Sequence, residues 1–235
     1  MISIICVYNN AEIMKKYLLA SLEKQTFKDY EIIKVDSKKY GFKSADEALN
    51  YGAMQAIGDL LLFCHQDVSF NDNCLYEIES YCKKYDFGLA GVAGTLFDKI
   101  GIFSNIFHGE NHDNAGQMIN QVTPCATLDE CLLIVKKNDF MKFNSYESWH
   151  LYGTEYSLRC HQSQKKVLIF PIELFHLSPG WSLNNSYWKA VVKICKDYKN
   201  FKTIPTTVAR FKNNCFLKFE ILKMKIILKR GKKNV

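Results

Sequence analysis

The chain has 235 residues, of which 48% are hydrophobic and 23% charged, and a formal net charge of +7. This ordinary globular composition excludes a disordered or low-complexity protein, and the length fits one α/β domain with an appendage better than two independent domains. The positive charge is placed late: from Arg210 onward the basic residues face a single acid, Glu220, whereas the first two thirds is near balance.

Nine cysteines occur with no CxxC pair, and Cys6, Cys64 and Cys131 lie inside apolar runs where a thiol packs as a small hydrophobe. The start, MISIICVYNN, has no charged n-region and leads directly into a strand, so no signal peptide is expected, and a reducing cytoplasm is the expected setting. No stretch supplies the roughly 18 uninterrupted apolar residues of a membrane span, so membrane contact is expected to be peripheral.

Residues 2–7 predict a first strand, followed by turn-forming Asn9 and Asn10. Ile13, Tyr17, Leu18 and Leu22 then fall at helical spacing within 12–24. A second strand spans 30–35 and ends at Asp36. A polar link at 37–44 leads to a helix over 45–57, with Gly58 suited to its C-terminus. The run GDLLLFCHQDV at 58–68 reads as a short, wholly apolar strand, as expected where both faces are covered, and it delivers His65, Gln66 and Asp67 to the strand end. Alternating strands and helices imply right-handed parallel crossovers, and ligands bind outside the carboxyl ends of such strands.

Further along, 74–84 predicts an amphipathic helix and 88–94 a small-residue strand. Residues 97–122 show no clean period and read as an active-site loop or hairpin region. Strands are expected at 128–135 and 167–170, a short turn or helix at 136–140, a helix at 154–164 and a loop at 175–180. Two amphipathic segments, 186–198 and 215–228, close the chain.

Neither a Rossmann glycine-rich turn nor a P-loop is present. Phosphates would then be held through a divalent metal, Mg²⁺ or Mn²⁺, bound by carboxylate and imidazole; Asp67 with His65 or His176 could serve. The residues alone also allow plainer roles: Asp67 as a cap, Asp36 as a turn former, Asn50 at a helix terminus, His176 bonded to backbone.

The order VYNN, a strand ending at Asp36, Ala48-Leu49-Asn50-Tyr51-Gly52 and GDLLLFCHQDV resembles the nucleotide-sugar half of a family-two glycosyltransferase of GT-A fold. His-Gln-Asp at 65–67 stands where most of that family has Asp-X-Asp, and is similar to a subgroup with this triplet. Downstream, 128–133 (LDECLL) resembles the acceptor-side strand, 149–159 (WHLYGTEYSLR) the segment with the catalytic carboxylate, and 175–178 (FHLS) the loop that gives a histidine to the metal. The resemblance implies an α/β GT-A domain over 1–180, with a nucleotide-sugar half at 1–95, an acceptor half at 96–180 and a helical, basic tail at 181–235. It further implies donor contacts from Val7, Asp36, Asn50, Gln66 and Asp67, metal ligation by Asp67 and His176, and Glu155 as the base of an inverting transfer, with Asp129 or Glu147 as alternatives. Asp129, Trp149 and His150 would meet the acceptor, and Tyr152 and Trp181 suit a sugar site.

The expected function is therefore inverting transfer from a UDP- or GDP-linked sugar to a glycan or lipid-linked acceptor in surface polysaccharide or glycoprotein synthesis. A non-catalytic nucleotide-sugar-binding subunit and a sugar-phosphate nucleotidyltransferase are the alternatives. The lysine-rich end fits either a terminal helix docked on the domain or an interfacial helix on an anionic membrane, at the inner face of the cell membrane. No recognition module for nucleic acid accompanies it.

Overall fold

The computed structural model describes residues 1–109, 112–177 and 183–231. The first three apolar runs pair in parallel, with β1 (Ile2–Tyr8) between β2 (Tyr30–Asp36) and β3 (Leu60–Cys64). Ile4, Ile5, Leu62 and Phe63 are buried, as expected for strands with helices on both faces. Asn10 starts the helical stretch at 11–23, its Oδ1 accepting from the backbone of Glu12 and Ile13; the middle turn, Lys15–Leu19, is π-helical. The expected link at 37–44 begins with a short helix, Ser37–Tyr40.

The helix Ala45–Ala53 ends earlier than its apolar pattern suggests. Gly58 is not its terminus. A Cβ there would lie 2.7 Å from Ser3 Oγ and 2.8 Å from the Met1 carbonyl, so glycine is required by close approach to the start of β1.

The connection from β3 continues through β4 (Val68–Phe70) into the helix Cys74–Lys84. The small-residue segment 88–94 does not form one strand. It divides into β5 (Leu89–Gly91) and β6 (Ala93–Thr95), which join different sheets. A Cβ on Gly94 would sit 2.5 Å from the Thr127 carbonyl, which explains the small side chain there.

The region 97–122 also holds more than a loop: β7 (Phe103–His108) and β8 (Asp113–Asn114) pair within it. Its strand period is masked by buried polar residues. Ser104 donates to the Ala115 carbonyl at 3.1 Å, and Asn105 exchanges two 2.9 Å bonds with the Ile119 backbone.

The remaining strands of the main body are β9 (Thr123–Pro124), β10 (Thr127–Leu128), β11 (Leu132–Lys136), β12 (Val167–Ile169) and β13 (Glu173–His176). The large sheet runs β2-β1-β3-β11-β5-β12-β9, with β11 antiparallel to both neighbours and β9 antiparallel to β12, so the sheet is mixed. A second sheet runs β10-β6-β7-β13-β4, with β8 attached to β7.

After residue 183, the helix Asn185–Asp197, a hairpin of β14 (Thr203–Pro205) and β15 (Arg210–Lys212), and the helix Leu217–Gly231 complete the chain. Tyr187, Trp188, Val191, Ile204 and Phe211 form one apolar cluster that also takes in Leu151 and Leu158 at the helix Tyr152–Gln162. The C-terminal region is thus docked on the domain through shared core. No described helix is long and apolar enough to cross a membrane.

Candidate functional site

β3 carries the chain to His65, Gln66 and Asp67, and β13 lies antiparallel to β4 with His176 opposite Val68. That register sets His176 beside the triplet. Its Nε2 is 3.3 Å from Asp67 Oδ1 and 3.4 Å from His65 Nδ1, and the potential ligand atoms of the three residues all lie within 4.8 Å of one another. His65 Nε2 faces the Tyr152 hydroxyl at 3.3 Å, and that hydroxyl reaches the Glu130 carbonyl at 3.3 Å.

The electrostatics separate the two histidines. Burial, reinforced by the neighbouring His176, pushes His65 down to about 4 and keeps it neutral with a lone pair to offer. Burial also works against charge on His176, but its hydrogen bond and attraction to Asp67 win and raise it above the ordinary value. For Asp67, burial would raise the carboxyl; His176 and His65 outweigh it and hold it below the ordinary range. Two imidazoles and one carboxylate converging at this spacing fit a divalent ion. The imidazoles suit a transition ion such as Mn²⁺ better than Mg²⁺, which favours an all-oxygen shell. His65, first met as a departure from the acidic motif, is one of the three converging groups.

A crevice beside this cluster is lined by Val7, Asn9, His65, Gln66, Trp149 and Tyr152. Gln66 braces its wall: Oε1 accepts from the backbone of Asn9 and Asn10 at 3.0 and 2.9 Å, and Nε2 donates to Asn9 Oδ1. The VYNN turn is therefore held by the same triplet that carries Asp67.

Other candidates are placed differently. Asp36 Oδ1 caps Ser37–Tyr40, accepting from Lys38 and Lys39 at 3.0 Å. Asn50 has both ends of its amide committed to the Phe143 backbone at 2.9 Å, so it pins the 140–144 segment and does not present its amide to the crevice. Asp129 accepts from the Cys131 backbone and from Thr207, each at 3.0 Å. Trp149 lines the crevice, whereas the His150 ring meets the Tyr187 ring edge-on. Glu147 is exposed. Trp181 and Ser178 lie outside the described residues.

The structure does not bring Glu155 to the crevice. Its side chain is 1% exposed, ion-paired with Arg159 at 3.0 Å, and accepts hydrogen bonds from Asn144 at 2.8 Å and from the Tyr198 hydroxyl. The helix Tyr152–Gln162 turns this position toward Tyr198 in the C-terminal region, where these contacts all fall on Oε1 and Oε2 is buried without a hydrogen-bond partner. Asp129 is the neighbouring acid that acts on both His65 and His176, and the next residue, Glu130, meets the Tyr152 hydroxyl through its backbone carbonyl. Burial and the adjacent Asp129 push the Glu130 carboxyl up to about 8, opposed by the backbone N–H groups of Leu151, Gly153 and Thr154 at the start of that helix. Leu151 adopts φ 70°, a left-handed turn that aims those groups. The adjoining Asp129 and Glu130 just before an apolar strand were the available sequence signal.

No protein-family model and no curated protein matches this chain. Among solved structures, residues 1–349 of S. aureus TarS are similar, with a TM-score of 0.56 and 16% identity over 83% of this chain and 64% of that one. The same fragment with UDP-GlcNAc gives a TM-score of 0.57 and 14% identity over 83% and 66%. GalNAc-T7, crystallised with UDP, GalNAc and Mn²⁺, gives 0.61 and 14% identity over 85% and 50%. The chain spans about half to two thirds of the length of these structures. At such identities the likeness concerns the fold, and the fold is GT-A.

Proposed function

We propose that this chain is an inverting glycosyltransferase acting on a nucleotide sugar, UDP- or GDP-linked, with a divalent cation, and that its acceptor is a glycan or lipid-linked sugar of a surface polysaccharide or glycoprotein pathway. The observation that supports this best is the convergence of His65, Asp67 and His176 at the end of β3, beside the crevice under the VYNN turn. An ion held by these three would offset the charge that builds up on the departing nucleoside diphosphate.

The chain's own groups supply the rest. Gln66 keeps the crevice wall in place, Val7 and Asn9 face the base and ribose, and Trp149 offers an apolar face to a sugar. The acceptor oxygen attacks the anomeric carbon while the bond to the diphosphate breaks, and a carboxylate takes the acceptor's proton. Glu130 takes this role in place of Glu155, because a carboxyl raised toward neutrality is a stronger base when ionised and the residue's backbone carbonyl meets the Tyr152 hydroxyl that also faces His65.

A second reading, a nucleotide-sugar-binding subunit without turnover, is favoured by the burial of Glu155. Calorimetry with UDP, GDP and their sugars, with and without Mn²⁺, tests both readings. Metal-dependent binding followed by hydrolysis or transfer is the expected result. Binding without turnover supports the second reading, and no binding of any donor overturns both.

A further inference from the structure

The C-terminal helix Leu217–Gly231 has two apolar faces, and among the described residues one of them packs on the fold while the other is exposed. Leu217 and Ile221 are buried and Met224 packs with them on the cluster around Trp188. At about 100° per residue, Phe219, Leu222 and Ile226 fall together on roughly the opposite side. They are 68%, 56% and 45% exposed, and the neighbouring Phe216 is 66% exposed. On the same helical projection Lys218 and Lys225 border this stripe along one edge and Lys223 along the other.

The cationic edge extends onto the preceding helix. Lys189, Lys193 and Lys196 join Lys218 and Lys225 around a groove of about 570 Å³. Lys225 stands over the Trp188 ring at 5.8 Å and Lys193 donates to the Ser145 carbonyl at 3.0 Å, which holds two of these ammonium groups against the protein.

We propose that this face docks on an anionic phospholipid bilayer, with Phe219, Leu222 and Ile226 entering the acyl boundary and the lysines at the level of the lipid phosphates. Charge complementarity selects this occupant: an apolar stripe between two cationic edges matches a surface that is apolar below and anionic above, and lysine stems can lie along the apolar layer while their ammonium groups stay at the phosphates. The helix lies in the interface plane because its other face is committed to the protein core. The donor crevice takes no part, so this inference stands or falls separately from the glycosyltransferase reading.

Flotation of the full chain with vesicles tests it. The protein is expected to float with mixed phosphatidylglycerol and phosphatidylcholine vesicles and to remain behind with phosphatidylcholine alone, with added salt weakening the association. Lys218→Gln and Lys223→Gln are each expected to weaken binding about fivefold. Phe219→Ser combined with Leu222→Ser is expected to weaken it at least about tenfold, with an unchanged circular dichroism spectrum and unchanged nucleotide binding. Equal association with both vesicle types, none with either, or indifference to these substitutions overturns the proposal. So does a dimer in solution that the Phe219 and Leu222 pair dissociates, because a second copy then covers the stripe.

Discussion

Asp67 and Glu155 are both carboxylates with a nitrogen-bearing side chain at hand, yet the chain places them in opposite surroundings. Asp67 stands just past the end of β3 with its side chain 16% exposed and close to two imidazoles. Glu155 is 1% exposed and shares its oxygen among Arg159, Asn144 and Tyr198. Asp67 is left with coordination to offer; Glu155 has one oxygen committed to the fold and the other, Oε2, buried without a hydrogen-bond partner. Matching a family string identifies a residue type at a position, but the direction in which a helix turns that position decides whether the group is chemistry or anchor.

The contrast can be broken most sharply at Glu155. Glu155→Ala leaves the Arg159 guanidinium facing a buried void, and a loss of about 3–5 kcal/mol in urea denaturation is expected. If instead stability is preserved while transfer stops, Glu155 is the base and the assignment to Glu130 fails. Next in size, Asp67→Ala is expected to weaken Mn²⁺-dependent donor binding on the order of a hundredfold, with a melting temperature close to the parent's; calorimetry and a thermal melt read the two effects apart.

The smallest expected effect sharpens the role of Glu130. Its folded-state pKa is raised to about 8. Between the unfolded carboxyl value and that point the folded form binds more protons than the unfolded form, so stability falls as pH rises across this window. Glu130→Gln removes that slope. The variant should match the parent near pH 5 and exceed it near pH 8 by about 1 kcal/mol, discounted for partial exposure, while losing transfer. A parallel pH dependence in parent and variant would remove the physical basis for Glu130 as a base.

Much of the first half was legible because it is written in simple periods. The apolar runs of β1 and β3 and the helix Cys74–Lys84 need no distant partner to be recognised, and the 3.6-residue repeat places that helix at both ends. The second sheet was not legible. β7 buries Ser104 and Asn105, whose polarity is satisfied by backbone groups at Ala115 and Ile119, partners that a local pattern does not show. The β14–β15 hairpin is similarly short and leans on Tyr187, Trp188 and neighbouring residues of the preceding helix.

At the site, sequence alone determined that an apolar strand ends in His65, Gln66 and Asp67, because burial on both faces demands such a run and the polar triplet must then emerge at its end. It also determined the lysine-rich close of the chain. Tertiary structure alone decided that His176 reaches Asp67, since that depends on the register of β13 against β4. It likewise decided that Asn50 is spent on the Phe143 backbone and that Glu155 is buried against Arg159, Asn144 and Tyr198. Side-chain chemistry is a property of the residue, but the partners that use it up or leave it available are set by packing between segments far apart in the chain.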